Sequence, residues 1–560
     1  MMNPPQKVVL NVRFVLFASA VTAIGGFLFG YDTAVINGAN TFLQTHFKLD
    51  PKTDSLLIGL ATASAIIGCI PGAMSAGFIS DKFGRRRVLF GCAFLYALSG
   101  ILSAIPQSFV QFIAARVLSG IAIGVSSMIC PVYIAELAPA AWRGRMGTLF
   151  QLGIVTGIFV TLFINGMIQG LGDAVWNTAY GWRWMLAAEA LPAFLFFFLL
   201  FPIPESPKWL VQANREGEAR KTLERIGDAA YADAEVAAVK EVLQQKEGSF
   251  AELFSRRYHL PLLLAFVLMF GAQFSGINAI MYYSTNIFLN AAGIGQVASR
   301  VADFRGSLTD AQSVDRLADG QQMIETALAA LRSEELKPIL DASAAANLEV
   351  SLRRGNNATT TDELKAAATA ALTFANEGRM KKAMDEVEQQ AKAKAFTCSV
   401  WIGLVNLLAT FIATLLVDKA GRKPLLLIGN AVQVLALGTV GYLYHIQSQS
   451  TGLLLGFVIL YTAAFATAMG PLPWIVCSEI FPAKLRGRAM SVATFCIWTG
   501  CLIVAQTFPF LLKHIGSSRT FWIYGACSAA TLLLVFLLLP ETKGKSLEQI
   551  EKSWGEALKL

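Results

Sequence analysis

The sequence predicts an all-α membrane protein of about twelve spans, built from two copies of one helical unit. Three observations carry this. Charged residues make up only 15% of the 560 positions and hydrophobic ones 55%, whereas a soluble domain carries roughly 25% charge. About twelve apolar runs are long enough to cross roughly 30 Å of hydrocarbon as helices. Short polar motifs also recur in the same order about 340 residues apart, the mark of an internal duplication. Asp81-Lys82-Phe83-Gly84-Arg85-Arg86-Arg87 returns as Asp418-Lys419-Ala420-Gly421-Arg422-Lys423-Pro424. Ala135-Glu136-Leu137-Ala138-Pro139 with Arg143-Gly144-Arg145 returns as Ser478-Glu479-Ile480-Phe481-Pro482 with Arg486-Gly487-Arg488, and Pro204-Glu205-Ser206-Pro207 as Pro540-Glu541-Thr542-Lys543.

In chain order, an N-terminal bundle fills 1–201, with spans at roughly 12–36, 55–79, 88–105, 109–133, 146–170 and 183–201. The N-terminus is short and polar and the first apolar run is too long for a cleavable signal. Pro204 and Pro207 stop the sixth span. The polar segment 202–259 then links the halves, with short helices expected to lie across the cytoplasmic mouth. A first span of the C-terminal bundle occupies 260–291. Residues 292–395 interrupt the second half with an Ala-rich, charged insertion on the non-cytoplasmic side, expected to be a small helical domain. Within it Ile324, Leu328 and Leu331 repeat at helical spacing. Thr360 with Glu363 reads as a capping box before a helix over Leu364–Ala375, stopped at Gly378. Arg379–Lys394 reads as another helix, with Met380, Met384 and Val387 on one face. The remainder of the bundle, 396–539, gives spans at roughly 396–417, 424–445, 453–477, 489–513 and 520–539, and 540–560 is a tail.

The net charge of +8 does not imply nucleic acid, because the Lys and Arg residues cluster in short loops beside spans. There they act as orientation signals and place both termini in the cytoplasm. The eight Cys show no metal-ligand spacing and read as small buried hydrophobes. No phosphate loop, metal cluster or nucleophile constellation is visible, so no cofactor and no enzymatic reaction is expected.

Further motifs complete the set: Gly30-Tyr31-Asp32-Thr33-Ala34-Val35, Gln273-Phe274-Ser275-Gly276-Ile277-Asn278, Gly470-Pro471-Leu472-Pro473-Trp474 and Pro540-Glu541-Thr542-Lys543-Gly544. Together with the duplicated loops, this ordered series resembles the sugar porter family of the major facilitator superfamily, nearest to bacterial D-xylose–proton symporters. The resemblance spans everything except about 292–395. It implies the major facilitator fold, two six-helix bundles in a cell (inner) membrane, with a monosaccharide bound between them near mid-membrane.

A sugar presents hydroxyls and an apolar face, so its site needs amides and aromatics. Gln151, Gln273, Asn278 and Asn406 supply amides from the spans, and Trp474 and Trp498 supply aromatics. By resemblance the four amides are sugar ligands, and Tyr282 and Tyr283 are gate residues. Membrane amides also serve as helix–helix glue, and buried tyrosines as packing. Ala272, Ile497 and Ala466 replace polar residues often found in the family, which leaves D-xylose and a hexose such as D-glucose both open.

Asp32 lies deep in the first span, where a carboxylate needs a partner. Arg116 in the fourth span is the candidate, and in the resembling symporters these positions form the coupling pair. Separating the two in a dry site would favour the protonated carboxyl, linking proton binding to shape change. Glu189 in the sixth span is an accessory proton candidate. At the cytoplasmic ends Arg85, Glu136 and Arg143 can pair with one another and with Asp418, Arg422, Glu479 and Arg486 across the halves, forming a gate. The expected function is proton-coupled import of a monosaccharide by alternating access. The alternatives are a passive sugar facilitator and a non-transporting sugar sensor, with the insertion available to an unknown partner.

Overall fold

The computed structural model describes residues 10–50, 53–139, 142–244, 250–291, 304, 306–314, 316–332, 342–376, 379–448 and 450–541. Among these residues every regular element is helical. The chain divides into two compact units. One comprises Met1–Ser284, Ser399–Ile446 and Leu455–Leu560, and the other Thr285–Cys398 with Gln447–Leu454.

The first unit begins with α1 (Val12–His46), α2 (Ser55–Phe83), α3 (Arg85–Ala104), α4 (Phe109–Leu137) and α5 (Arg143–Gln169). Polar side chains start two of them. The Asn11 side chain accepts from the Phe14 amide at 3.2 Å, and Ser108 Oγ accepts from the Gln111 amide at 3.3 Å. The sixth crossing is irregular. A π-helical turn at Asn177–Gly181 leads into α6 (Trp182–Ala187), and a turn at Ala188 and Glu189 precedes α7 (Ala190–Leu199). Three short helices follow, α8 (Pro207–Gln212), α9 (Glu216–Glu224) and α10 (Ala229–Gln244).

The span expected at 260–291 is broken. Helix α11 (His259–Phe274) ends and α12 (Ile277–Ala291) begins around Gly276, whose φ of +87° suits glycine alone. The inserted segment contains α13 (Leu317–Leu331), α14 (Ala342–Asn356) and α15 (Thr361–Asn376). Their apolar faces, with Phe304 and Leu308, enclose a core that includes Ile324, Leu328, Leu352 and Leu364. Glu363 caps the start of α15, accepting from the Thr359 amide at 3.0 Å while its own amide donates to Thr360 Oγ at 3.3 Å. These bonds, the Thr359 amide foremost, hold the exposed Glu363 carboxyl below the usual carboxylate range. Gly378 and the side chains of Met380, Met384 and Val387 lie outside the described residues.

The helices expected at 379–394 and 396–417 are a single element, α16 (Arg379–Ala420), 42 residues long. No Pro and only Gly403 falls within it, and Ala, Lys, Gln and Glu dominate its first half, so nothing local ends the helix. Then come α17 (Arg422–His445), α18 (Thr451–Thr467), α19 (Leu472–Ile480) and α20 (Ala483–Leu538).

Among the described residues, eleven helical stretches are long and apolar enough to cross a membrane. The last, Leu485–Leu538, would be about 80 Å long if straight, more than two hydrocarbon thicknesses. Gly516, at φ 81° and ψ 166°, breaks it, so this stretch supplies two crossings.

Close helix contacts rest on glycine. A Cβ on Gly30 would strike the Ile154 carbonyl oxygen, locking α1 against α5, and one on Gly120 would strike that of Ala65, locking α4 against α2.

Candidate substrate and proton pathway

Asp32 of α1 and Arg116 of α4 meet in the core of the N-terminal half, 0% and 2% exposed. Arg116 donates from one terminal nitrogen to Asp32 Oδ1 and from the other to the Asp32 main-chain oxygen, the latter at 3.3 Å. Ser119, one turn further along α4, donates its hydroxyl to the same Oδ1 at 2.8 Å. Asp32 Oδ2 and Arg116 Nε have no hydrogen-bond partner among the described residues. Glu189, 1% exposed, sits in the turn between α6 and α7 and interacts with both members of the pair. Three ionisable groups 73 to 157 positions apart in the chain are thus brought together by α1 packing on α4, α6 and α7.

The C-terminal half presents three of the four amides, Gln273, Asn278 and Asn406. Gln273 ends α11 and Asn278 opens α12, so the break at Gly276 turns the two carboxamides toward one another. Asn278 Nδ2 donates to Gln273 Oε1 and to the Cys501 thiol of α20, the second bond at 3.0 Å. The Tyr282 hydroxyl lies 3.6 Å from the same sulfur, and Tyr283 donates to the Ala505 carbonyl at 3.1 Å. Trp498, 7% exposed, faces Phe29 of α1 with ring centroids 5.4 Å apart, close in sequence to Asp32. Trp474 of α19 is half-buried and packs against the apolar core of its own half. Gln151 of α5 is half-buried and Asn406 of α16 is buried. No group of metal-ligating side chains occurs among the described residues.

The duplicated loops have matching geometry. Gly84 and Gly421 adopt φ of 93° and 90°, a turn that L-residues resist, and leave the starts of α3 and α17 without a capping side chain. Glu205 fills that role for α3, accepting from the Arg85 amide at 2.9 Å and the Arg86 amide at 3.0 Å. Glu541 does the same for α17 through the Arg422 amide at 3.1 Å and the Lys423 amide at 3.0 Å. Arg85 pairs with Glu136 at 3.0 Å and Asp81 at 3.0 Å, and Ser206 donates to Glu136 at 2.6 Å. Arg422 pairs with Glu479 at 2.9 Å. These described pairs run within each half; the sequence allowed pairing among the first-half residues, as Arg85 and Glu136 do, and also pairing across the halves. Arg486 has a buried Nε without a partner among the described residues. The side chains of Arg143 and Asp418 lie outside the described residues.

Contacts between the halves occur elsewhere. Asn37 of α1 donates to Ser284 of α12 at 2.6 Å and Gln506 of α20 donates to the Leu56 carbonyl of α2 at 2.8 Å, while Ser284 also bonds Ser399 of α16, within the C-terminal half, at 2.7 Å.

Sequence reasoning missed Ser119, Cys501, Glu205 and Glu541 as contributors. Only the two Glu carried a usable signal, their recurrence in the duplicated Pro-Glu motifs.

The profile of the family described as "Sugar (and other) transporter" matches residues 18–300 and 384–554. An arabinose-proton symporter of Bacillus subtilis is 32% identical over 97% of this chain and 96% of its own length. The D-xylose-proton symporter of Escherichia coli is 30% identical over 97% of this chain and 96% of its own. A glucose transport protein of Synechocystis is 33% identical over 98% of this chain and all of its own. Among solved structures, a partially occluded inward-open conformation of the xylose transporter XylE from E. coli superposes with a TM-score of 0.70 at 28% identity, covering 96% of this chain and 100% of that one. The chain is an integral membrane protein with the major facilitator fold, and it belongs to the sugar (and other) transporter family.

Proposed function

We infer that the protein is a secondary active transporter that imports a monosaccharide together with protons by alternating access. The observation that carries this is the ion pair of Asp32 with Arg116, buried beside Glu189 in a membrane-spanning half. A charged group at that depth is costly, and a site whose proton occupancy changes with conformation is its natural use. While Arg116 holds Asp32, the carboxylate stays charged. Proton binding at Asp32 frees Arg116 and loosens α4 from α1, so sugar and proton move in one cycle. The sugar would lie against Gln273, Asn278, Gln151 and Asn406, with Trp474 and Trp498 toward its apolar face. The substrate class is a pentose such as D-xylose, or a hexose such as D-glucose.

Orientation follows the basic loops, with both termini cytoplasmic in a cell (inner) membrane. In that orientation the Asn37–Ser284–Ser399 and Gln506–Leu56 contacts close the outer mouth, beside the proposed gate residues Tyr282 and Tyr283. The described pairs Arg85–Glu136 and Arg422–Glu479 lie within each half, which fits an inward-facing state. In the outward-facing state Arg85, Glu136, Arg143, Asp418, Arg422, Glu479 and Arg486 would re-pair across the halves. The 292–395 insertion is then an accessory domain outside the cell.

The test is uptake of labelled sugar into proteoliposomes by wild type and Asp32→Asn. Wild type should accumulate sugar against its gradient, and the variant should only exchange it. Accumulation by Asp32→Asn would remove Asp32 from coupling.

A further inference from the structure

We propose that Ser119 is a positioning residue of the coupling site, whose hydroxyl holds Asp32 in its charged, Arg116-bound form and so sets the pH range over which transport is driven. This rests on the reading of Asp32 as the proton-carrying group.

The geometry singles this serine out. In membrane helices Ser and Thr hydroxyls usually return to a carbonyl of the preceding turn. Ser126 donates to the Ile123 carbonyl at 3.2 Å, Thr22 to Ala18 at 2.8 Å and Thr161 to Gly157 at 2.7 Å. Ser119 instead reaches out of its own helix to Asp32 Oδ1 at 2.8 Å, and it is 1% exposed. It shares that oxygen with Arg116, so Oδ1 carries both donors while Oδ2 carries none. A hydroxyl at this spot can donate a hydrogen bond to a carboxylate, and the bond is charge-assisted only while Asp32 is ionised.

Asp32 meets a defined set of other groups. Arg116 comes from α4 and Glu189 from the turn between α6 and α7. Cys69 on α2, Tyr96 on α3 and Tyr282 on α12 also feel its charge. Of these only Arg116 is a cation; it and Ser119 are the two side chains that donate to Asp32 Oδ1, with the Glu189 carboxyl also beside Asp32. Removing it makes the protonated carboxyl easier to form without touching the amides proposed to bind sugar.

The experiment compares wild type, Ser119→Ala, Ser119→Cys and Asp32→Asn in proteoliposomes. Each is tested with whichever of D-xylose, L-arabinose and D-glucose the wild type accumulates. Two quantities are read: gradient-driven uptake against external pH, and the KM of sugar exchange at equal pH on both sides. For Ser119→Ala the pH of half-maximal driven uptake should rise by about one unit, a tenfold change in proton binding. The thiol of Ser119→Cys, a weaker donor, should give an intermediate shift. Exchange KM should stay within about twofold of wild type, because no sugar contact is removed. A Ser119→Ala profile superimposed on wild type, in protein that exchanges sugar normally, would overturn the inference if Asp32→Asn has lost accumulation. If Asp32→Asn still accumulates sugar, or the wild type accumulates none, the coupling reading itself fails and this inference falls with it.

Discussion

Changing Asp32 to Asn removes one charge from a pair shielded from solvent on all sides. Arg116 is 2% exposed and would keep two acceptors, the new carboxamide oxygen and the main-chain oxygen of residue 32 at 3.3 Å. Its charge would lose its directly bonded counter-ion. Stranding one member of a buried pair costs about 3–5 kcal/mol. The retained hydrogen bonds and the nearby Glu189 carboxyl place this case at the lower end, about 3 kcal/mol. Replacing both members as Asp32→Asn with Arg116→Gln leaves no lone charge, so the double variant should be more stable than Asp32→Asn alone. Equilibrium unfolding in mixed detergent micelles measures both quantities, and counterflow exchange reports whether the folded variants still move sugar. Wild-type stability in Asp32→Asn, or a double-variant cost equal to the sum of the singles, would refute the claim that a tightly bound, desolvated pair occupies this site.

Other perturbations test separate parts of the account. Glu205→Ala should cost about 2 kcal/mol of stability, because α3 loses the carboxylate that caps its first amides. Glu541→Ala should cost the same at α17, and a thermal melt no different from that of an exposed control such as Glu224→Ala would contradict the capping role. Asn278→Ala should weaken sugar binding roughly tenfold, since one or two hydroxyl contacts vanish. Quenching of Trp fluorescence by sugar gives the affinity, and an unchanged Kd would move the site away from the α11–α12 break. Gly120→Val should cost about 1–3 kcal/mol by driving α4 off the Ala65 carbonyl. Normal yield of monodisperse protein at wild-type stability would show that the contact can relax.

Much of the architecture was legible because a bilayer imposes simple rules. Apolar run length marked the crossings, and the repeat of the Asp81 and Asp418 loops exposed the two halves. The break between 513 and 520 was visible as an interruption in hydropathy, and Gly516 makes it. The break at Gly276 was not visible, because Gln273, Ser275 and Asn278 beside it lie in a run that is apolar on both sides, and only the backbone angle separates α11 from α12. The continuity of α16 was hidden for the opposite reason: a polar stretch meets an apolar one, and polarity changes without any helix-ending residue. Among site residues, Asp32, Arg116 and Glu189 stood out because charge in a span demands explanation. Ser119 did not, since serine is common in membrane helices and its direction is set by where α1 lies against α4. Cys501 looked like one more small buried residue, although its sulfur accepts from Asn278. The direction of the cytoplasmic ion pairs could not be read either, because repeated charges at the ends of two similar halves can pair within a half or across, depending on conformational state.

The most direct measurement is uptake of labelled D-xylose, L-arabinose and D-glucose by wild-type proteoliposomes, with and without an inward proton gradient. Coupled import predicts that at least one sugar rises above its outside concentration and that an uncoupler abolishes the excess. Equilibration of all three at the same level, gradient or not, would contradict it and leave the buried Asp32–Arg116 pair a structural feature of a passive carrier.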